Sequence, residues 1–210
     1  VPGTWPQDCP GLDAALHPLT APPAGSGWNI DEIRDLLPPD VPAAEAAVLV
    51  GLVPRDGVTH VLLTRRTAGL RNHAGQVSFP GGRIETGDPD VVAAALREAH
   101  EEIGLPPGNV RPLGFLDPLA TITGFRVTPV VASIAGGFVP RPDPSEVAEA
   151  FEVPLRYLMN PVNLTRQEMH FGGRRREVLE FRYPEQRIWG ATASMLLNLR
   201  ERLTQARTGV

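Results

Sequence analysis

Apolar residues fall in short blocks cut by turn-forming residues, with helical periodicity in few places. Ala46 to Val53 and Val58 to Arg65 are strand-length runs joined by Arg55-Asp56-Gly57, which predicts a β-hairpin. Gln76 to Phe79 predicts another short strand, and Val110 to Leu116 and Arg126 to Ile134 two more, the last preceded by a turn at Thr123-Gly124. The clearest helical period runs from Asp88 to Gly104: Val92, Leu96, Ala99 and Ile103 share an arc of about 60°. Asp88-Pro89 reads as its start, Asp capping the free amides and Pro taking the first turn, and Gly104 with Pro106 reads as its stop. Ser145 to Phe151 and Pro154 to Leu158 suggest helix or helical turns. Glu168 to Phe171 and Val178 to Tyr183 flank Gly172-Gly173-Arg174-Arg175-Arg176 as a second hairpin, and Thr192 to Leu203 predicts a closing helix. This order fits an α+β chain, or an α/β/α sandwich with a mixed β-sheet between helices.

The first 28 residues carry Pro2, Pro6, Pro10, Pro18, Pro22 and Pro23, which disfavour helix interiors and central strands. They are expected to form an arm, followed by a short helix with Asp31 near its start and Ile33, Leu36 and Leu37 on one side, stopped by Pro38-Pro39. The expected division is 1–40 arm and helix, 41–203 one domain and 204–210 a tail, with the arm a candidate contact in a homodimer.

A length of 210 residues suits one core, and a formal charge of -4 excludes bulk coating of nucleic acid. All 20 basic side chains are Arg, so Lys chemistry is excluded and any anion must be held by guanidinium forks, amides or a metal. Cys9 is alone, which fits a reducing compartment; the expectation is a cytoplasmic protein. The apolar, uncharged stretch Val127 to Pro140 has 14 residues, short of a membrane span.

The candidate chemistry lies on the long helix. Glu98, Glu101 and Glu102 occupy one flank of its last two turns, where like charges at i,i+3 and i,i+4 repel and the helix dipole favours cations. A hard divalent cation such as Mg²⁺ or Mn²⁺ would turn that repulsion into coordination, completed by substrate phosphates. Phe79-Pro80-Gly81-Gly82 lies just upstream, and paired glycines allow close backbone approach to a phosphate or metal.

Gly82 followed by Arg97-Glu98-Ala99-His100-Glu101-Glu102-Ile103-Gly104-Leu105 resembles the signature of the Nudix hydrolases, whose core reads R-E-U-x-E-E-x-G-U with U apolar. The spacing from Gly82 to Arg97 is one residue longer than in the usual box, and Asp88 takes the first acidic position. Leu62-Leu63-Thr64-Arg65-Arg66-Thr67, Arg71, Gly75 and Phe79-Pro80-Gly81-Gly82 resemble L-L-T-x-R-S-x3-R-x3-G-x3-F-P-G-G, the mark of the coenzyme A pyrophosphatase branch, which tends to carry the same extra residue; Thr67 replaces Ser.

The resemblance implies the Nudix fold and metal-dependent hydrolysis of coenzyme A, or its oxidised or acyl forms, to 3',5'-ADP and 4'-phosphopantetheine. It implies Mg²⁺ or Mn²⁺ held by Glu98, Glu101 and Glu102, with Glu98 and Glu102 as first choices and Gly82 offering its carbonyl. Arg97 would orient a carboxylate, Glu101 first among them, so that Glu98, Arg97 and Glu101 form the catalytic set. The general base is open among Glu98, Glu146 and Glu168. Arg66, Arg71, Gly81 and Gly82 are candidate substrate contacts, because guanidinium forks suit tetrahedral anions. Arg65 would face the other side of its strand, Arg174 to Arg176 either extend such a pocket or, the favoured reading, form a solvated turn, and His60, His73, His100 and His170 show no ligand spacing. The implied partner is a small nucleotide, with no nucleic acid and no membrane. Rival readings are a Nudix enzyme for ADP-ribose, dinucleoside polyphosphates or nucleoside triphosphates, and a non-catalytic nucleotide sensor.

Overall fold

The computed structural model describes residues 9–37, 42–69, 74–171 and 173–208. The apolar run after residue 43 forms β1 (Ala44–Arg55), which turns through Asp56 and Gly57, both at positive φ, into β2 (Val58–Arg66). Two consecutive positive φ values give the turn whose twist suits an antiparallel hairpin. β1 is interior on both sides because it pairs in parallel with β7 (Phe125–Ile134) while β2 flanks it on the other edge. β5 (Val110–Phe115) and β6 (Leu119–Ala120) pair antiparallel with β7, and β3 (Val77–Ser78) and β4 (Gly81–Arg83) pair with β2 and β1. β8 (Val147–Pro154) extends β2, completing a mixed sheet of eight strands.

β8 corrects the expected helix over Ser145 to Phe151. Ala and Glu favour helix locally, but seven residue pairs with β2, from His60↔Pro154 to Arg66↔Val147, override that preference. Only Leu155–Met159 (α4) is helical there. The second hairpin is longer than expected: β9 (Leu164–Phe171), β10 (Arg174–Tyr183) and β11 (Gln186–Trp189) make a separate antiparallel sheet.

Helices cover both faces. α3 (Val91–Ile103) buries Ala94, Ala95, Ala99 and Ile103 against Leu49, Val53, Leu62 and Val130. α5 (Ala191–Thr208) buries Ala193, Leu196, Leu199 and Leu203 with Val50, Val61, Leu63 and Val131. That is the mixed sheet between helices that the element order implied. Two expectations about the ends change. Residues 9–16 belong to the core rather than a free arm, since Leu12 and Ala15 of α1 (Leu12–Ala15) pack with α5, and α5 runs to Thr208, through most of the expected tail. The short helix α2 (Ile30–Ile33) begins at Ile30, with half-buried Ile33, Leu36 and Leu37. Among the described residues no helix is long and apolar enough to cross a membrane.

Candidate active site

α3 is capped at both ends, which fixes the direction of its acidic flank. Asp90, not Asp88, is the N-cap: its Oδ1 accepts from the Ala93 N–H at 2.8 Å. At the other end Gly104 adopts φ 65° and donates to the His100 carbonyl, while Leu105 donates to the Ala99 carbonyl.

Asp88, released from capping, is part of the site. Arg97 Nε donates to its Oδ1 at 2.9 Å and Nη2 to its Oδ2 at 3.1 Å, and the Glu85 N–H adds a bond at 2.8 Å. The Arg97 fork, followed by the Glu85 amide, holds the Asp88 carboxyl below the usual range. Arg97 also donates to the Arg83 carbonyl at 3.1 Å, to Glu98 at 3.0 Å and to Glu101 at 3.3 Å. The expected Arg97–Glu101 pair therefore exists, yet the bidentate partner is Asp88.

The three helix glutamates separate by direction. Glu102 is 3% exposed and points to the Gly81 N–H at 3.3 Å, with Arg66 Nη1 at 3.6 Å. Burial pushes its carboxyl up to about 8, against the pull of Arg66 and the Gly81 amide and with the push of Glu98 and Glu146. Glu98 lies against Gly82; burial raises its carboxyl, Arg97 opposes, and Glu101 and Glu146 add to the rise. The Glu101 side chain is 57% exposed, turned towards solvent beside Arg97.

Both glycines of the upstream motif leave room that a side chain would fill. Gly81 sits at φ 152°, and a Cβ on it would strike the Ala47 carbonyl and lie 2.6 Å from the Val48 Cα of β1. A Cβ on Gly82 would lie 2.6 Å from the Glu98 carboxylate. Gly81 thus lets β4 reach β1, and Gly82 leaves the room in which Glu98 rests.

Glu146 is delivered by a turn anchored to the end of α3. The Asp143 N–H donates to the Glu102 carbonyl at 2.8 Å, and the Glu146 and Val147 amides donate back to the Asp143 carbonyl at 3.1 and 2.8 Å. Asp143 Oδ1 accepts from the Ser145 N–H and hydroxyl, an Asx turn. Pro142-Asp143-Pro144-Ser145 carried that turn signal in the sequence, but not its attachment to α3. Glu168, the other distant acid, pairs with Arg175 on the exposed β9–β10 hairpin.

Arg65 pairs with Glu149 at 3.0 Å, on the opposite side from Arg66, as strand alternation required. Arg176 pairs with Asp35 and the Glu32 carbonyl. His60 Nδ1 lies 3.1 Å from the Val58 carbonyl. Arg71 and His73, and the side chain of Arg174, lie outside the described residues.

Among the described residues no three acidic, His or Cys side chains converge tightly enough to hold an ion between them, because Glu101 is turned away. A divalent cation nevertheless fits. Glu102 is a buried carboxylate with one amide at 3.3 Å and one guanidinium at 3.6 Å, and Glu98 stands one helical turn away above a glycine. Such oxygens, short of donors and flanked by Glu146, match a hard cation whose remaining positions come from water or substrate oxygens.

The NUDIX domain family profile matches residues 45–171. The uncharacterized Nudix hydrolase NudL of Pectobacterium atrosepticum is 44% identical over 162 residues, which cover 74% of this chain and 80% of the relative. NudL of Escherichia coli strain SMS-3-5 is 40% identical over 157 residues, covering 74% of this chain and 80% of that protein. A crystal structure of a MutT/nudix family protein from Enterococcus faecalis superposes with a TM-score of 0.50 at 16% identity, over 80% of this chain and 65% of the other, a likeness of fold.

Proposed function

We propose that this chain, which belongs to the Nudix hydrolase family, hydrolyses the diphosphate bond of coenzyme A with the help of Mg²⁺ or Mn²⁺. The observation that carries the reading is Arg66 beside Glu102: a residue of the upstream motif stands 3.6 Å from the buried carboxylate of the helix, so the two motifs meet in one site. Substrate specificity rests on Leu62-Leu63-Thr64-Arg65-Arg66-Thr67 through Gly82, which resembles the coenzyme A branch.

Glu98 and Glu102 would hold the cation, which when bound neutralises phosphate oxygens and acidifies a water. Arg66, with a part-exposed guanidinium, grips a non-bridging phosphate oxygen and orients the diphosphate for in-line attack. Arg97 keeps Glu98 aimed at Gly82 while anchored to Asp88 and the Arg83 carbonyl. Glu146 is the group left to accept the proton of the attacking water: Glu98 and Glu102 are engaged with the ion, Glu101 faces outward, and Glu168 lies on the other sheet. The water oxygen bonds one phosphorus, and the bridging oxygen departs on the other phosphate, giving 3',5'-ADP and 4'-phosphopantetheine.

The test is hydrolysis of coenzyme A, ADP-ribose, a dinucleoside tetraphosphate and ATP with each metal, with products identified by mass spectrometry. Coenzyme A should give the highest kcat/KM and those two products; a wide preference for ADP-ribose would overturn the substrate. Glu98→Gln should cut turnover by about 100-fold or more with its thermal melt nearly intact, and unchanged turnover would remove Glu98 from the site.

A further inference from the structure

A cavity of about 190 Å³ opens between α4, α5 and the segment at Pro10. It lies on the α5 side of the large sheet, whereas Glu98 and Glu102 lie on α3 across it. Leu155, Met159 and Leu203 form its apolar lining, and Arg156, Arg200 and Arg207 its polar one. Among the described lining residues none is acidic.

Arg200, Leu203, Thr204 and Arg207 repeat at i, i+3, i+4 and i+7 along α5, so the two guanidiniums share one face. Arg202, between them, points elsewhere and is neutralised by Asp117 at 3.0 Å. Arg156, Arg200 and Arg207 make no ion pair among the described residues, and Nη1 of Arg200 is buried without a hydrogen-bond partner. Arg200 is half-buried and Arg156 and Arg207 are exposed at the rim, so the basin presents three guanidiniums with no carboxylate among its described lining residues. Nη1 of Arg200 is a donor that an acceptor brought by a ligand can satisfy.

We propose that this basin binds an organic phosphate monoester, the phosphate taken by Arg200 with Arg156 and Arg207 and the short apolar portion laid on Leu155, Met159 and Leu203. A guanidinium fork matches two phosphate oxygens, and the apolar lining favours an ester over inorganic phosphate. The site is separate from the hydrolytic centre and independent of its substrate.

The probe is butyl phosphate, titrated calorimetrically into the full chain in EDTA at low salt, with inorganic phosphate alongside. Butyl phosphate should bind about fivefold or more tighter than inorganic phosphate, and Arg200→Met should weaken it about tenfold. Amide shifts in an ¹H–¹⁵N spectrum should concentrate on residues 200–207 and 155–159. Arg156→Met, on the exposed rim, should weaken binding about threefold and decides the matter if Arg200→Met does not fold. Wild-type affinity in both variants, equal affinity for the two phosphates, or shifts confined to the α3 side would overturn the proposal.

Discussion

Glu102 pairs the deepest burial on the acidic flank with the strongest perturbation. Its folded carboxyl, pushed up to about 8, binds a proton more tightly than the unfolded chain, whose value is near 4.5. The sign follows: stability tied to this proton is complete below the unfolded value and is lost as pH rises through the folded one. In EDTA, wild-type protein should therefore lose a few kcal/mol relative to Glu102→Gln between about pH 4.5 and pH 8, since each tenfold difference in proton affinity between the folded and unfolded chain is worth about 1.4 kcal/mol. Urea unfolding at pH 5 and pH 8.5 measures it; parallel curves for the two proteins would refute the buried charge. Mg²⁺ added at pH 7 should release about one proton per site, read by calorimetry in two buffers of different ionisation heat. Arg97→Lys should lower kcat by about 10- to 100-fold, because a single ammonium cannot span both Asp88 oxygens, and Asp88→Asn should lose less. The acidic cluster was legible in the sequence, and the resemblance put Glu98 and Glu102 ahead of Glu101; the helical phase gives the order of their burial as well. Measured from the centre of the apolar stripe, Glu102, Glu98 and Glu101 stand at about 90°, 130° and 170°, and their side-chain exposures follow at 4%, 16% and 57%.

At the scale of elements, the glycine pair separates scaffold from chemistry. Gly81→Ala places a Cβ into the backbone of β1, which cannot move aside, at a φ that L residues rarely adopt; a loss of about 2 kcal/mol or more in chemical denaturation is expected. Gly82→Ala meets only the end of the Glu98 side chain, which can swing away, so its melt should stay within about 0.5 kcal/mol while kcat falls at least tenfold. If Gly82→Ala unfolds the protein and Gly81→Ala does not, the two roles are exchanged. The hairpin of β1 and β2, β7 and the end of α3 were readable because each is set by local pattern: an Asp-Gly turn, apolar runs, and a glycine stop. The helix start was misplaced by two residues because Asp88 and Asp90 are equally good caps in isolation, and only the reach of Arg97 decides between them. β8 was misread because Val147 to Val153 is rich in helix-favouring Ala and Glu; its pairing partner lies more than 80 residues away, beyond any local window. That misreading hid how Glu146 arrives, since a strand starting at Val147 fixes the preceding turn beside α3 in a way a helix would not.

Across the whole molecule, the sheet separates its two faces, with the proposed hydrolytic groups on the α3 side and residues 9–17 tied down on the α5 side. The tie centres on Asp117. Burial raises its carboxyl, but His17 at 2.7 Å, Asn198 at 2.9 Å and Arg202 at 3.0 and 3.1 Å outweigh that and leave it lowered. His17 lies just beyond α1 and exchanges backbone bonds with Phe115, while Asn198 and Arg202 belong to α5, so one carboxylate joins the first helix to the last. A lowered carboxyl contributes stability that is present above the ordinary carboxylate range and lost as pH falls through the folded value. Asp117→Asn keeps an acceptor but leaves the part-buried Arg202 without its counter-charge, so about 1–3 kcal/mol of stability should go, with the difference from wild type shrinking as pH falls below about 4. Hydrogen exchange should quicken at residues 9–17 before it does in α3. Because β1 and β7 stand between Asp117 and the acidic flank, kcat at 25 °C should remain within about twofold of wild type. Loss of activity in parallel with faster exchange at residues 9–17 would mean that the two faces are coupled through the sheet, and that the hydrolytic site depends on how the chain begins.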